Sequence, residues 1–315
     1  MTQTPNFPAV DHAAGAAIQM SDLVVNYGTK TAVTGLTLTV PTGSVFGFLG
    51  PNGAGKTTTI KTLLGFRRPD GGHAEVLGFD VVRQSEQVRA RVGYVSEVGG
   101  LYDGLNVDQL ERFFQQTARR WQPATFERFR ARAGAARRSR IRHLSGGVKM
   151  QLAFALAMGG DLELLILDEP TAGLDPLARR ALLGSLITEV AALGKTVFFS
   201  GHHLAEVESV ADSVGILKDG RLVLSGNLDD LKQRHRALRL SYDAAPTAQT
   251  LAALHRLPGV TALEQDGRTL RLSVQGDVQA MMQQIRLQDD APGNLEPLDQ
   301  NLEDLFHSLM REDAP

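Results

Sequence analysis

Apolar and polar residues alternate from Ile18 to Tyr27 and again from Ala32 to Val40, a period of two that predicts antiparallel strands with one buried face. The pattern then changes. Ser44 to Leu49, Val92 to Val95, Leu164 to Leu167 and Thr196 to Ser200 are short and nearly continuously apolar, as strands buried on both faces of a parallel sheet are. Helical spacing fills the intervals: Thr57 to Leu64, Val107 to Arg120 with Leu110, Phe113 and Phe114, Phe126 to Ala136, Leu144 to about Met158, and Leu177 to Leu193. Val214 to Leu217 and Arg221 to Ser225 flank Lys218-Asp219-Gly220, which predicts a hairpin. Beyond His235, Leu238 to Tyr242, Thr247 to Leu257, Val260 to Gln265, Thr269 to Val274, Asp277 to Leu287 and Asn294 to Leu298 follow a β-α-β-β-α-β order of ferredoxin-like type, with a last helix over Leu302 to Met310.

This pattern predicts a loose tail over residues 1–17, an α/β domain over 18–235 with a helical insertion at about 98–158, and an α+β accessory domain over 236–315. The 315 residues, 43% hydrophobic, can bury a full-sized core, and a net charge of −2 supplies no global field toward nucleic acid. Without cysteine there is no disulfide and no thiolate metal site. The most apolar window, Leu152 to Leu167, is interrupted by Gly159, Gly160, Asp161 and Glu163 and does not span a membrane. Met1 to Ala17 lacks the charged-then-apolar plan of a signal peptide.

Chemistry enters between the first buried strand and the helix after it. Gly50-Pro51-Asn52-Gly53-Ala54-Gly55-Lys56-Thr57 fits G-x-x-x-x-G-K-[ST], in which glycines let successive N–H groups converge and the helix N-terminus adds positive potential, a cradle for polyphosphate. Lys56 would reach the β- and γ-phosphates, the Thr57 hydroxyl would ligate Mg²⁺, and Thr58 would add a further phosphate contact. Leu164 to Leu167 ends in Asp168 and Glu169: the first suits Mg²⁺ through a water, the second can hold an attacking water and take its proton. The strand over Val92 to Val95 delivers Glu97 toward the same edge. Tyr27 is either a base-stacking platform or an ordinary strand-end aromatic. Leu144-Ser145-Gly146-Gly147 opens a helix and either exposes N–H groups to an anion or simply caps. At His202 and His203 a strand-end imidazole could reach a γ-phosphate oxygen or serve the structure alone. The arginines at 128, 130, 132, 137, 138, 140 and 142 could form a solvated face, contact an acidic partner or meet nucleic acid.

Taken together, these segments resemble the nucleotide-binding subunit of ATP-binding-cassette (ABC) transporters over about Ile18 to His235. The loop at Lys56 is shared by many NTPases, whereas Leu144 to Gly147 (LSGG), lying before Leu164 to Pro170 (LLILDEP), is particular to this family. The resemblance implies a P-loop NTPase core of parallel sheet plus antiparallel β subdomain, with ATP and Mg²⁺ as ligands. It implies that Tyr27 stacks on adenine, that Asp175 in Ala172-Gly173-Leu174-Asp175 is the D-loop acid, and that His202 rather than His203 is the switch histidine. It also implies a head-to-tail dimer in which each ATP lies between the Lys56 loop of one copy and Ser145, Gly146 and Gly147 of the other. Glu97 stands where most relatives carry Gln, and Val148-Lys149-Met150-Gln151 departs from the usual continuation.

Val95-Ser96-Glu97 after Gly93-Tyr94, Arg119-Arg120-Trp121 and Asn301-Leu302-Glu303-Asp304-Leu305-Phe306 look most like bacterial export-type ATPases with a separate integral-membrane permease. The resemblance therefore implies an ATPase at the cytoplasmic face of the cell membrane, paired with a second copy and with no nucleic-acid partner. The competing readings are a soluble ABC ATPase acting on ribosomes or nucleic acid, and a nucleotide sensor without hydrolysis. The first usually needs two cassettes or a long coiled coil between Lys56 and Ser145, and the second has no use for Glu169 and His202.

Overall fold

The computed structural model describes residues 15–97, 100–175, 179–180, 182–288, 290–298, 302–304 and 306. They divide into two compact units, one reaching Gly226 and one beginning at Asn227.

In the first unit β1 (Ala16–Tyr27) and β2 (Lys30–Pro41) form the antiparallel pair that their alternation predicts, in register from Ile18 opposite Val40 to Tyr27 opposite Lys30. β4 (Gly71–Val76) and β5 (Phe79–Asp80) extend this sheet in the order β2-β1-β4-β5. The apolar runs form a second sheet from β3 (Val45–Leu49), β6 (Val92–Val95), β7 (Leu164–Leu167), β8 (Thr196–Gly201), β9 (Ser213–Lys218) and β10 (Arg221–Asn227), in the order β10-β9-β3-β8-β7-β6. β3 pairs in parallel with β8 and β9, and β7 with β6 and β8, so the carboxyl ends of β3, β6, β7 and β8 share one edge. Such an edge is where an open α/β sheet places its ligand. Asp219 and Gly220 both take positive φ, 48° and 77°, which turns β9 into β10 with the right-handed twist of a hairpin.

One core joins the two sheets through the helix α1 (Lys56–Leu63), where Ile60, Leu63 and Leu64 pack with Ile18, Met20 and Leu23 and with Phe46, Phe48 and Phe198. The Phe46 and Phe198 rings stack with centroids 5.7 Å apart. Each such buried side chain contributes roughly 2 kcal/mol, so α1 and the loop before it rest on a rigid base.

Between β6 and β7 run α2's successors in the chain: after α2 (Ser85–Arg89) come α3 (Val107–Thr117), α4 (Pro123–Arg132) and α5 (Gly146–Gly159), the last three forming the helical insertion. Asn106 and Gln109 form a reciprocal capping box at the start of α3. α3 stops at Thr117, short of the expected Arg120, because Ala118 turns extended. α4 starts before the expected Phe126, since Pro123 has the fixed φ that a first helical turn wants, and stops before Ala136 near Gly134, which has φ 66°. Phe129 meets Phe154 edge-on at 5.3 Å, which packs α4 on α5.

Most of the basic run is engaged within the chain. Arg130 pairs with Glu127, Arg137 reaches Asp108, Glu111 and Glu127, and Arg128 and Arg132 both hold Glu189. The Arg130 hydrogen bond, reinforced by the charges of Arg130 and Arg137, outweighs burial and pulls the Glu127 carboxyl down to about 2. Arg138, Arg140 and Arg142 remain exposed.

The stretch expected as one helix from Leu177 to Leu193 includes residues 177, 178 and 181, which lie outside the described residues; Leu182–Ile187 is π-helical and Thr188–Ala192 is α-helical.

In the second unit β11 (His235–Ser241), β12 (Val260–Asp266), β13 (Thr269–Gln275) and β14 (Asn294–Leu298) form an antiparallel sheet ordered β12-β13-β11-β14. With the helices Ala248–His255 and Val278–Arg286 this is the split β-α-β arrangement of a ferredoxin-like fold. Leu238, Leu240, Leu270, Leu272 and Ile285 form its core. Leu302 is buried and Asp304 pairs with Arg271 at 2.8 Å, whereas residues 307–310 of the expected last helix lie outside the described residues.

Candidate functional site

β3 ends at Leu49, and the chain then makes the loop Gly50 to Gly55 before entering α1. Gly55 is the helix N-cap with φ 108° and offers no side-chain cap, so the first N–H groups of α1 have no intrahelical acceptor and stand open to an anion. A Cβ here would lie 2.5 Å from Ala32 O, and one at Gly50 would lie 2.3 Å from Leu217 O, so both positions need glycine for space as well as conformation. Pro51, Asn52 and Gly53 are exposed, while Ala54 is buried and donates its N–H to Pro51 O at 3.2 Å.

Lys56 is only 5% exposed. Its ammonium donates to Gly50 O at 2.6 Å and to Pro51 O at 3.2 Å, and lies 2.9 Å from Glu169 Oε1. A lysine curled back onto its own loop holds positive charge at the point where the free N–H groups converge.

Across from this loop, β7 delivers Asp168 and Glu169, 2% and 7% exposed. The Ser200 hydroxyl on β8 joins the two carboxylates: it donates to Asp168 Oδ1 at 2.8 Å and accepts the Glu169 N–H at 2.9 Å. In the sequence Ser200 stands only as the end of a strand. Its one signal was a hydroxyl closing an otherwise apolar run. Asp168 Oδ1 also accepts from Thr57 Oγ1 at 3.2 Å, and Glu169 Oε2 lies 2.8 Å from His202 Nδ1. Glu169 has φ 47°, a left-handed conformation that costs a non-glycine residue about 1 kcal/mol or more and turns its carboxylate away from the strand axis. Burial, and then the charge of Asp168, push the neighbouring Tyr94 phenol up to about 12, so it stays protonated.

Among the described residues no group of three or more His, Cys, Asp or Glu is gathered around a metal position. Thr57 and Asp168 offer two adjacent oxygen donors, which suits a hard cation that keeps most of its coordination for phosphate oxygens and water. Glu169 Oε1 is buried without an aligned hydrogen bond, close to the Lys56 charge and free to accept from a water.

The remaining candidates stand apart from this cluster. Thr58 is half-buried in the first turn of α1. Tyr27 is 48% exposed at the end of β1, with the Arg67 guanidinium 5.0 Å over its ring. Glu97 is exposed two residues beyond β6. Ser145 caps α5 by accepting the Val148 N–H at 3.4 Å, and Ser145 and Gly146 are exposed while Gly147 is half-buried. Asp175 is exposed, and its carbonyl accepts the Arg179 N–H at 3.0 Å. Among the described residues no hydrogen bond joins Tyr27, Glu97 or Ser145 to Lys56, Asp168 or Glu169. The two histidines diverge: His202 faces Glu169, whereas His203 Nε2 lies 3.1 Å from Arg179 Nη1.

Comparison with known proteins bears on this arrangement. The sequence profile of the ABC transporter family matches residues 33–172. The daunorubicin resistance ATP-binding protein DrrA3 of Streptomyces coeruleorubidus is 35% identical over 287 residues, covering 88% of this chain and 90% of that protein. The Nod factor export ATP-binding protein I of Rhizobium sp. (strain N33) is 34% identical over 304 residues, covering 93% and 96%. A solved structure described as the ATP-binding subunit of an ABC transporter superposes with a TM-score of 0.62 at 31% identity, covering 69% of this chain and 92% of its own. The family profile spans the phosphate loop and the Asp168–Glu169 pair, and the chain belongs to the ATP-binding subunits of ABC transporters, which hydrolyse ATP to power transport.

Proposed function

We propose that this chain is the motor of an exporter: two copies close head-to-tail on Mg-ATP at the cytoplasmic face of the membrane and drive a separately encoded permease. The observation that carries the reading is an asymmetry. Lys56, Thr57, Asp168, Glu169, Ser200 and His202 are joined by contacts of 2.8 to 3.2 Å, whereas Ser145 and Gly146 stand exposed at the start of α5. A second copy supplies what the first leaves open. The names of the Nod factor export and daunorubicin resistance relatives support the export direction.

In this reading the N–H groups of Gly53 to Thr58 bind the phosphates, with Gly50, Pro51 and Asn52 shaping the loop, and Lys56 leaves Glu169 for the β- and γ-oxygens. Tyr27 stacks on the adenine. Thr57 and, through water, Asp168 and Glu97 hold Mg²⁺, which neutralises phosphate charge when bound. Glu169 orients a water and takes its proton as the oxygen attacks the γ-phosphorus. The bond to the bridging oxygen breaks, and ADP and phosphate leave. His202 donates to a γ-oxygen and, through Nδ1, fixes the Glu169 carboxylate. Ser145, Gly146 and Gly147 of the second copy close over the same γ-phosphate, with Asp175 at the junction. About four negative charges on the nucleotide then join the copies, and their loss on hydrolysis lets the copies part.

A permease needs a surface, and the first unit offers one. A groove of about 450 Å³ has Tyr94, Trp121, Arg89, Arg91 and Arg119 among its lining residues. The exposed rings of Phe66, Tyr102 and Phe113 add to the apolar surface of this unit, with Phe66 edge-on to Tyr94 at 6.3 Å. Among the described residues no helix is long and apolar enough to cross a membrane; in this reading the transport path belongs to the partner. Purification from detergent-solubilised membranes should bring a polytopic protein with this chain; recovery on ribosomes or nucleic acid would contradict the proposal.

A further inference from the structure

We propose that Arg179 is a positioning residue that ties the loop carrying Asp175 to the switch histidine, an inference resting on the assignment of Glu169 and His202 given above. Four contacts fix it. Its backbone N–H donates to Asp175 O at 3.0 Å, and its Nε donates to Leu174 O at 2.8 Å. Its Nη1 lies 3.1 Å from His203 Nε2 and 3.3 Å from Glu206 Oε1. A guanidinium has no acceptor, so Nη1 donates and His203 Nε2 accepts, which leaves the proton of the neutral imidazole on Nδ1.

From His203 the path continues to the catalytic carboxylate. The His203 and His202 rings lie against one another with centroids 4.1 Å apart at 42°, and His202 Nδ1 is 2.8 Å from Glu169 Oε2. Two adjacent imidazoles, one aimed at the carboxylate and one at the guanidinium, cannot both keep their partners if either turns. Arg179 thus selects the orientation in which His202 faces Glu169.

Arginine suits this task because its planar fork holds two separate nitrogens, Nε and Nη1, in fixed directions toward separated acceptors, a geometry that the single nitrogen of an ammonium does not have. The pair with Glu206 is partly buried, its side chains 28% and 22% exposed, so solvent screens it less than a surface pair. Since Asp175 is exposed, a protein that engages this loop bears on His202 through Arg179. The coupling runs through two residues that the assigned chemistry does not itself use, Arg179 and His203.

Steady-state ATPase assays on the full chain test the inference. For Arg179→Gln we expect kcat to fall about tenfold with the KM for ATP within about twofold of the parent, the split of a residue that acts on the reacting geometry and not on ground-state binding. His203→Gln should show the same split. The double variant should be no slower than the slower single one, because both act on one orientation. Arg179→Lys, which keeps the charge and loses the fork, should fall between the parent and Arg179→Gln. If Arg179→Gln does not fold, His203→Gln alone decides the matter. Parent-level kcat in His203→Gln and Arg179→Gln, losses that multiply in the double variant, or a raised KM at unchanged kcat would overturn the inference. Glu169→Gln separates the two levels of the reading: normal turnover there removes the catalytic assignment, whereas lost turnover there with normal Arg179→Gln removes only the positioning role.

Discussion

Two helix N-termini in this chain are built around glycines, and they are built for different tasks. At α1 the cap is Gly55, with a left-handed backbone and no side chain, and the lysine that follows folds back to fill the loop with charge. At α5 the cap is Ser145, whose hydroxyl accepts one of the free N–H groups of its own helix. The first site has its counter-charges at hand, since Asp168 and Glu169 follow β7 in the same chain and His202, just after β8, faces Glu169. At the second the charge nearby is spent on the exposed pair of Lys149 with Asp103, and Ser145 and Gly146 face outward. In the function proposed above, one terminus belongs to the half-site of its own chain and the other closes over the half-site of a second copy; identical halves of this kind are expected to meet head-to-tail.

The comparison can be broken most severely at the first terminus. Lys56→Ala removes the buried cation and should weaken nucleotide binding by about 100-fold or more, since a desolvated charge pair is worth several kcal/mol. Calorimetry with ATP measures this, and unchanged affinity would mean that the loop is not the cradle. Next in size is Ser145→Ala at the second terminus. A hydrogen bond to a charged group is worth about 1.5–3 kcal/mol, so ATP-driven association should weaken about tenfold or more while ATP affinity of the single copy is kept. The lost cap adds a stability cost of about 1 kcal/mol, visible by thermal melting. Equal loss of single-copy affinity would place Ser145 in the same half-site as Lys56. Glu97→Gln sharpens the boundary between the two. If its oxygen serves as a polar ligand alone, turnover should stay within about threefold of the parent, and a larger loss would show that its charge takes part. The smallest effect lies in the helical insertion that carries Ser145. The Glu127 carboxyl falls from an ordinary 4.5 to about 2 on folding, so its contribution is complete above about pH 4.5 and is lost as pH falls toward 2. The fluorescence of Trp121, the only tryptophan, follows acid unfolding; Glu127→Gln should flatten that pH dependence and leave it unchanged near pH 7.

How much of this was legible in the sequence depended on the range of the contact concerned. Contiguous signals carried far. The eight residues from Gly50 to Thr57 place their own backbone, and an apolar run ending in Asp168 and Glu169 can only be a buried strand with polar ends. The order of the second unit's sheet follows from six elements of the right kind. What stayed hidden was long-range and polar. Ser200 joins Asp168 and Glu169 from 32 and 31 residues away, and nothing around it marks a bridging hydroxyl. The partition of His202 and His203 needed the folded positions of Glu169 and Arg179, since sequence places the two imidazoles side by side. The basic run is compatible in sequence with a solvated face, an acidic-partner contact or a nucleic-acid patch, whereas in the fold Glu127 and Glu189 hold most of it, and Glu189 lies 57 residues from Arg132. Helix ends slipped for local reasons: Pro123 begins a turn that periodicity does not see.

The central claim is that nucleotide itself joins two copies of this chain at the half-sites contrasted above. The most direct test is the molar mass of Glu169→Gln in solution, by light scattering, with Mg-ATP and without it. The account predicts a dimer with Mg-ATP, because binding is retained while hydrolysis can no longer release the copies, and a monomer when nucleotide is withheld. A variant that binds ATP and still remains monomeric at high protein concentration would contradict it.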